Sequence, residues 1–222
     1  KCFKINNMEK FISIEEAVSK IKSGMTIMIG GFLGNGSACR ILEALAKTDV
    51  KDLTIIGNDT AYPDKAVGLL ITNKQVKRAI VSHIGTNPNT IQQFNDKELE
   101  VEFVPQGTLA ERIRCGGAGL GGVLTQTGIG TVIEEGKQKV TVDGKEYLLE
   151  KPIRADLALL GATKADKFGN LWYRGTSQNF NPTCAMAADL VIAEVEEVVE
   201  NNEIPLESFH TQGIFVDFMV KH

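Results

Sequence analysis

The sequence predicts an α/β fold: an open, mostly parallel sheet with helices on both faces and a small antiparallel β insertion. Three observations carry this prediction. Short apolar, β-rich runs recur along the chain with helix-compatible stretches between them. The first of these runs passes directly into a glycine loop and then into a helical segment. A single strong hairpin signal, Asp143-Gly144, interrupts the alternation and marks the insertion.

Taken in order, residues 1–7 precede Met8 and carry no pattern, so they read as a leader or an expression remnant, and 8–222 reads as one domain. Ser13-Ile14-Glu15-Glu16 forms a capping-box pattern, and Ile14, Ala17, Val18 and Ile21 share one helical face before Gly24 ends the run. Thr26 to Ile29 is the first strand. Gly30-Gly31-Phe32-Leu33-Gly34-Asn35-Gly36 follows it, and Ser37 is placed to cap a helix carrying Ala38, Ile41, Leu42 and Leu45. Leu53–Gly57, Val76–Ser82 and Leu99–Val104 read as three further buried strands. A second capping-box pattern, Thr108 to Glu111, opens a short helical segment that ends in Cys115-Gly116-Gly117. From Gly116 to Gly130 the density of glycine argues against any regular element. Val140–Val142 and Tyr147–Leu149 flank the hairpin turn, and Ala155–Leu160 and Leu190–Val195 return to the main sheet. Strands alternating with helices need crossover connections, which place the helices over the two faces of a parallel sheet.

Composition narrows the function. In 222 residues, 24 Lys+Arg stand against 28 Asp+Glu, a net charge of −4, with 6% aromatics, so no basic, aromatic-studded footprint for nucleic acid is present. A hydrophobic share of 43% is enough for a packed core and argues against a disordered chain. Cys2, Cys39, Cys115 and Cys184 make no C-x-x-C pair and have no histidine at ligand spacing, which disfavours a zinc site and a disulfide scaffold. No apolar run approaches the roughly 18–20 residues that cross a bilayer, and no secretory signal pattern is seen, so a cytoplasmic, membrane-free protein is expected.

The loop Gly30–Gly36 is the first candidate site. Glycines let a backbone approach an anion closely, and the helix that follows would offer unpaired N–H groups and a positive dipole end. A tight β-to-α turn is the plain alternative. Gly31 to Gly36 has P-loop spacing, but Ser37 stands where the lysine must be, which removes the main support for nucleoside triphosphate hydrolysis. A dinucleotide fingerprint starting at Gly34 and Gly36 has Cys39 at its third position, while Asp59 lies where a ribose-binding acid would sit. A nicotinamide-dependent dehydrogenase therefore stays open as a rival. So does a sugar-phosphate-sensing module on a similar sheet, although no helix-turn-helix or basic patch accompanies it.

Asn58 and Asp59 follow the second strand and Gln106 follows the fourth, at carboxyl ends where open α/β sheets bind ligands. Amide side chains suit a carboxylate or a developing oxyanion. Completing turns is the alternative for Asn58 and Asp59. His83 has no evident Ser, Cys or Asp partner, and His210 and His222 lie far along the chain. Arg112 and Arg114 face different sides of a helix, available to neutralise an anion or to face solvent, and Glu134 and Glu135 read as a solvated pair. No G-x-S-x-G elbow or catalytic dyad is present.

Four strings carry a resemblance. The segment 23–36, Ser-Gly-Met-Thr-Ile-Met-Ile-Gly-Gly-Phe-Leu-Gly-Asn-Gly, resembles the first signature of the family I coenzyme A transferases. Residues 105–119 are similar to a second long block of that family, and Ser82–Asn87 and Phe168–Leu171 extend the match over nearly the whole chain. The likeness is greatest to alpha subunits of the acetate/butyrate–acetoacetate type and to the N-terminal half of fused succinate:3-ketoacid enzymes. Ser23 replaces the usual Asp or Asn, and Ser37-Ala38 the usual proline; both departures leave the glycines intact.

The resemblance implies a fold of the NagB/RpiA-like type and a single transferase alpha-subunit domain over 8–222. It implies that Gly30, Gly31, Phe32, Leu33, Gly34, Asn35 and Gly36 bind coenzyme A, and that Asn58 and Gln106 support catalysis in the active site. It implies a nucleophilic glutamate on a separate beta subunit, in a Ser-Glu-Asn-Gly-type motif. No Glu-Asn-Gly occurs in this chain, and the nearest string, Glu200-Asn201-Asn202, is not assigned. The implied activity moves coenzyme A between a short-chain acyl-CoA or acetoacetyl-CoA and an acid such as acetate or butyrate, with coenzyme A as substrate and no metal.

Overall fold

The computed structural model describes residues 10–200 and 203–222; the expectation of a leader at 1–7 lies outside them. The elements in chain order are α1 (Ile14–Ser19), β1 (Thr26–Ile29), α2 (Cys39–Leu45), β2 (Leu53–Ile56), α3 (Val67–Thr72) and β3 (Val76–Val81). They continue with α4 (Pro88–Asn95), β4 (Glu100–Phe103), α5 (Gln106–Ala118), β5 (Val123–Thr125), β6 (Lys139–Val142) and β7 (Lys145–Glu150). Last come β8 (Ala155–Ala165), β9 (Leu171–Trp172), α6 (Asn181–Met186), β10 (Ala188–Val198) and β11 (Phe218–Lys221).

The main sheet runs β11-β10-β8-β1-β2-β3-β4 with every neighbour parallel, and β9 pairs antiparallel with β8. From β1 the chain winds outward on one side through β2, β3 and β4, then returns to the centre and winds the other way from β8. Strand order therefore reverses between β1 and β8, the point at which an open α/β sheet leaves a crevice at its carboxyl edge.

Both faces are covered, as the alternating sequence predicts. Ile27 and Ile29 of β1 and Leu157 and Leu159 of β8 pack with Ala17 of α1, Ile41 and Leu42 of α2 and Leu70 of α3. The intervening Met28, Ala158 and Leu160 pack with Leu109 and Ile113 of α5 and Cys184 of α6. Two-residue periodicity sends alternate side chains to the two helical layers. The capping box is present: Ser13 Oγ accepts the Glu16 amide at 3.1 Å, and the Glu16 carboxylate accepts the Ser13 amide at 2.9 Å. The hairpin is also present, with Asp143 at φ 49° and Gly144 at φ 75°, and β5-β7-β6 forms the antiparallel insertion.

Four expectations are corrected. Ser37 does not cap α2; its hydroxyl donates to Gly30 O at 2.7 Å, and the N-cap is Ala38. The second capping box does not form, because α5 starts at Gln106, two residues earlier, directly behind Pro105. The glycine-rich stretch contains both the end of α5, terminated by Gly119 at φ 70°, and strand β5. Glu134 is not merely solvated, since it accepts the Gly130 amide at 2.7 Å and pairs with Lys139.

Candidate functional site

The loop after β1 sits at the reversal point. Gly30 N donates to Leu159 O at 3.0 Å, extending β1 beside β8, and then the chain turns sharply. Phe32 and Asn35 exchange backbone hydrogen bonds of 2.9 Å each, around Leu33 and Gly34 at φ 50° and 83°. A left-handed leucine is strained by about 1–2 kcal/mol, and Asp59 offsets this by accepting the Leu33 amide at 3.0 Å. The other Asp59 oxygen accepts the Ala61 amide at 2.7 Å. Asp59 is thus a buried clamp with both oxygens engaged, so the ribose-acid reading loses its residue.

A second wall comes from residues the sequence did not single out. Asn181, fully buried at the start of α6, donates Nδ2 to Gly36 O and to Ser177 O, each at 2.9 Å. Gly161 of β8 donates its amide to Gly36 O at 3.1 Å. A Cβ on Gly30 would collide with the Asn181 amide, and one on Gly161 would lie 2.6 Å from Ser37 C and O. The carbonyls of Gly30 and Gly36 are therefore drawn inward, while the amides of Gly31, Gly34 and Gly36 have no acceptor among the described residues. Trans peptide geometry turns the Gly31 N–H away from the inward Gly30 carbonyl. Asn181→Ala is expected to cost about 2 kcal/mol, because Ser177 O loses its side-chain donor, Gly36 O keeps only the Gly161 amide, and a buried side chain is removed; a urea melt measures it.

The helix behind the loop is not the open anion site that the sequence suggested. Its first amides are already filled: Arg40 N and Ile41 N donate to the Glu194 carboxylate at 3.2 and 2.9 Å. Glu194 comes from β10 and satisfies the helix terminus with the protein's own charge. A cavity of about 180 Å³ remains between Gly34, Asn35 and Gly36 of the loop and Gly161, Thr163 and Ser177.

Asn58 and Gln106 do meet. Gln106 Nε2 donates to Asn58 Oδ1 at 2.8 Å, and Ser82 Oγ lies 3.0 Å from the same oxygen. Asn58 Nδ2 is buried and has no partner among the described residues, a donor left over for something else. The loop and this amide pair share one edge, because Asp59, next to Asn58, holds Leu33.

Of the remaining candidates, His222 lines the same cavity as the loop, and the others are placed elsewhere or spent. His210 Nδ1 accepts the Tyr173 amide at 3.0 Å, and its ring stacks on Tyr173 and Trp172, a packing role. His83 is exposed, two residues beyond the end of β3. Arg114 pairs with Glu111 on the surface. Arg112 is committed to Glu102 at 2.7 Å and to Lys151 O at 2.9 Å.

Burial pushes the Glu102 carboxyl up, but Arg112, with Arg78 beside it, outweighs this and holds the group below the usual carboxylate value. A carboxyl lowered by folding contributes stability above its unfolded pKa, and that stability is lost as pH falls through the lowered value. Glu102→Gln is therefore expected to flatten the loss of stability below about pH 5, as read from urea melts across pH.

A family model described as coenzyme A transferase matches residues 11–222. The chain is 51% identical over 211 residues to the acetate CoA-transferase subunit alpha of Escherichia coli (strain K12), covering 95% of this chain and 96% of that protein. It is 51% identical over 212 residues to the acetoacetyl-CoA:acetate/butyrate CoA transferase alpha subunit of Clostridium acetobutylicum, covering 96% and 97%. Among solved structures, an acyl-CoA transferase of E. coli O157:H7 in a thioester complex with CoA superposes with a TM-score of 0.86 at 24% identity. That match takes in 100% of this chain and 49% of the other. Glutaconate coenzyme A-transferase from Acidaminococcus fermentans gives 0.83 at 20% identity, over 96% of this chain and 75% of that one. At these identities the two structures speak for the fold.

Proposed function

This chain belongs to the coenzyme A transferase family, and we propose that its glycine loop Gly30–Gly36 receives coenzyme A while Asn58 and Gln106 line the reaction site. It is the alpha subunit of a heteromeric enzyme that moves coenzyme A between an acyl-CoA and a carboxylic acid. The alpha-subunit relatives act on acetate, acetoacetyl-CoA and butyrate by name, and short-chain acids of that kind are the proposed substrates. The dehydrogenase and sensor alternatives give way to the family match over 11–222.

One observation carries the division of labour between subunits. Of the carboxylates that border the loop, Asp59 and Glu194 are tied to backbone amides, and Glu196, which also lines the cavity, lies exposed on β10. We assign the nucleophile, as the family resemblance implies, to a glutamate of the partner subunit, in a heterodimer or heterotetramer. Its carboxylate adds to the thioester carbonyl and expels coenzyme A thiolate, leaving an acyl-glutamyl anhydride. The thiolate adds to the glutamyl carbonyl, releases the first acid and leaves a glutamyl thioester. The acceptor carboxylate then runs the two steps in reverse. Each addition places negative charge on a carbonyl oxygen, and the unpartnered Asn58 Nδ2, held by Gln106, is a donor of the kind that charge needs. One thioester is exchanged for another, so the reaction balances without ATP or a metal.

Among the described residues no helix is long and apolar enough to cross a membrane, and a cytoplasmic enzyme is the reading proposed. Intact-mass measurement of the assembled enzyme after a brief exposure to acetoacetyl-CoA tests the assignment. The expected result is a coenzyme A adduct on the partner subunit; an adduct on this chain would overturn it.

A further inference from the structure

The glycine loop carries no cation of its own, since Ser37 occupies the position where a phosphate loop has lysine. A cation reaches it from another segment. A Cβ on Gly34 would lie 2.7, 3.0 and 3.1 Å from Cε, Cδ and Cγ of Lys65, so the aliphatic stem of Lys65 lies along the Gly34 backbone. Lys65 sits in the connection between β2 and α3, in a turn closed by its own amide donating to Tyr62 O at 3.1 Å. Ala61 and Ala66, on either side, have φ of 52° and 49°, strained backbone that fixes the course of the segment. The Cys39 thiol in the first turn of α2 donates to Gly34 O at 3.5 Å, so the Gly34 backbone meets both that helix and the Lys65 stem.

Lys65 is exposed. Lys74, Lys137, Lys139, Lys164 and Lys167 are each paired with a glutamate, whereas Lys65 has no carboxylate partner among the described residues. Beside it lies the backbone of Gly34, whose amide, like those of Gly31 and Gly36 elsewhere in the loop, has no acceptor among the described residues. Backbone amides without acceptors and an ammonium close by are the kind of donors that suit a phosphate. The Glu194 carboxylate lines the cavity beside Gly34–Gly36 together with the exposed Glu196, and its own oxygens are engaged by the amides of Arg40 and Ile41.

We propose that Lys65 is a phosphate-binding residue: its ammonium, laid across Gly34, pairs with the phosphate groups of coenzyme A while the loop amides hold the same anion. This rests on the reading of the loop as the coenzyme A site. The uncharged pantetheine arm then runs toward Asn58 and Gln106.

The test compares acetoacetyl-CoA, its dephospho-CoA analogue and acetoacetyl-pantetheine as donors for the enzyme assembled with its partner subunit. Lys65→Ala is expected to raise KM for acetoacetyl-CoA roughly fivefold to tenfold with kcat nearly constant. Lys65→Arg is expected to restore most of the loss. The preference of the enzyme for the CoA thioester over the pantetheine thioester should fall by the same factor. A loss that persists with the dephospho analogue assigns the contact to the diphosphate, and one confined to acetoacetyl-CoA assigns it to the 3′-phosphate; both support the proposal. An unchanged KM, or an equal loss with the pantetheine thioester, would overturn it. Gly31→Val, measured alongside, separates the two levels. If it weakens coenzyme A binding while Lys65→Ala does not, the loop reading stands and the role of Lys65 falls; if neither variant matters, the loop reading falls as well.

Discussion

Valine at position 31 is expected to reduce coenzyme A affinity by roughly a hundredfold or more, the scale of loss that follows misplacing a binding group by about 1 Å. Gly31 has φ 98°, a region closed to β-branched side chains. A Cβ there would lie 2.5 Å from Asn35 O, 2.6 Å from Ser37 Oγ and 2.8 Å from Gly36 C. None of these is the loose end of a flexible chain. Two are backbone atoms, and the third is a hydroxyl already bound to Gly30 O. The loop must open, losing the Phe32–Asn35 pair and the placement of its acceptor-free amides. Because the segment lies at the sheet edge between β1 and α2, the two hydrophobic layers stay intact and the melting transition stays cooperative. Calorimetric titration of the assembled enzyme with coenzyme A, with a thermal melt as control, measures both. Unchanged affinity would show the loop to be only a turn.

Gly116→Ala sets two principles against each other. Alanine in a helix interior favours folding by about 1 kcal/mol over glycine. Gly116, however, lies inside α5 where the chain entering β8 crosses the helix. A Cβ there would overlap the Ile153 carbonyl oxygen, with Ile153 C at 2.8 Å and Arg154 Cγ at 3.2 Å. Ile153 N donates to Arg112 O at 3.0 Å and Arg154 donates to Gly116 O at 3.0 Å, so the crossing segment cannot simply back away. Overpacking against backbone outweighs propensity, and a net loss of about 3 kcal/mol is expected, a fall of about 6–12 °C in Tm for a domain of this size. A rise in Tm would mean that the crossing segment yields to the added methyl group.

The parts of the fold visible in the sequence are those governed by local rules. Ser13–Glu16 makes its capping box because both partners lie within one turn. Thr26–Ile29 forms β1 with the bounds its apolar run predicts. Long-range partners overrode local signals elsewhere. Ser37 is a capping residue by type, but its hydroxyl is taken by Gly30 O, and Glu194, more than 150 residues away, fills the amides it would have served. Strand β11 is four residues long and forms only because β10 offers an open edge. In the site, Asn58 and Gln106 were legible because both follow strands at the sheet's carboxyl edge. Asn181 was not: it opens a six-residue helix with no periodic signal, and only the approach of Gly36 and Ser177 makes its amide necessary. The glycines recorded that contact, since Gly30 and Gly161 lack the Cβ atoms that would collide there.

The central claim is that this chain is one half of a coenzyme A transferase. Coenzyme A transfer from acetoacetyl-CoA to acetate, assayed with this chain alone and with its partner subunit, tests that claim most directly. The account predicts turnover only in the mixture. Turnover by the chain alone would contradict it, because a carboxylate here would then be the nucleophile although Asp59 and Glu194 are both committed to backbone amides.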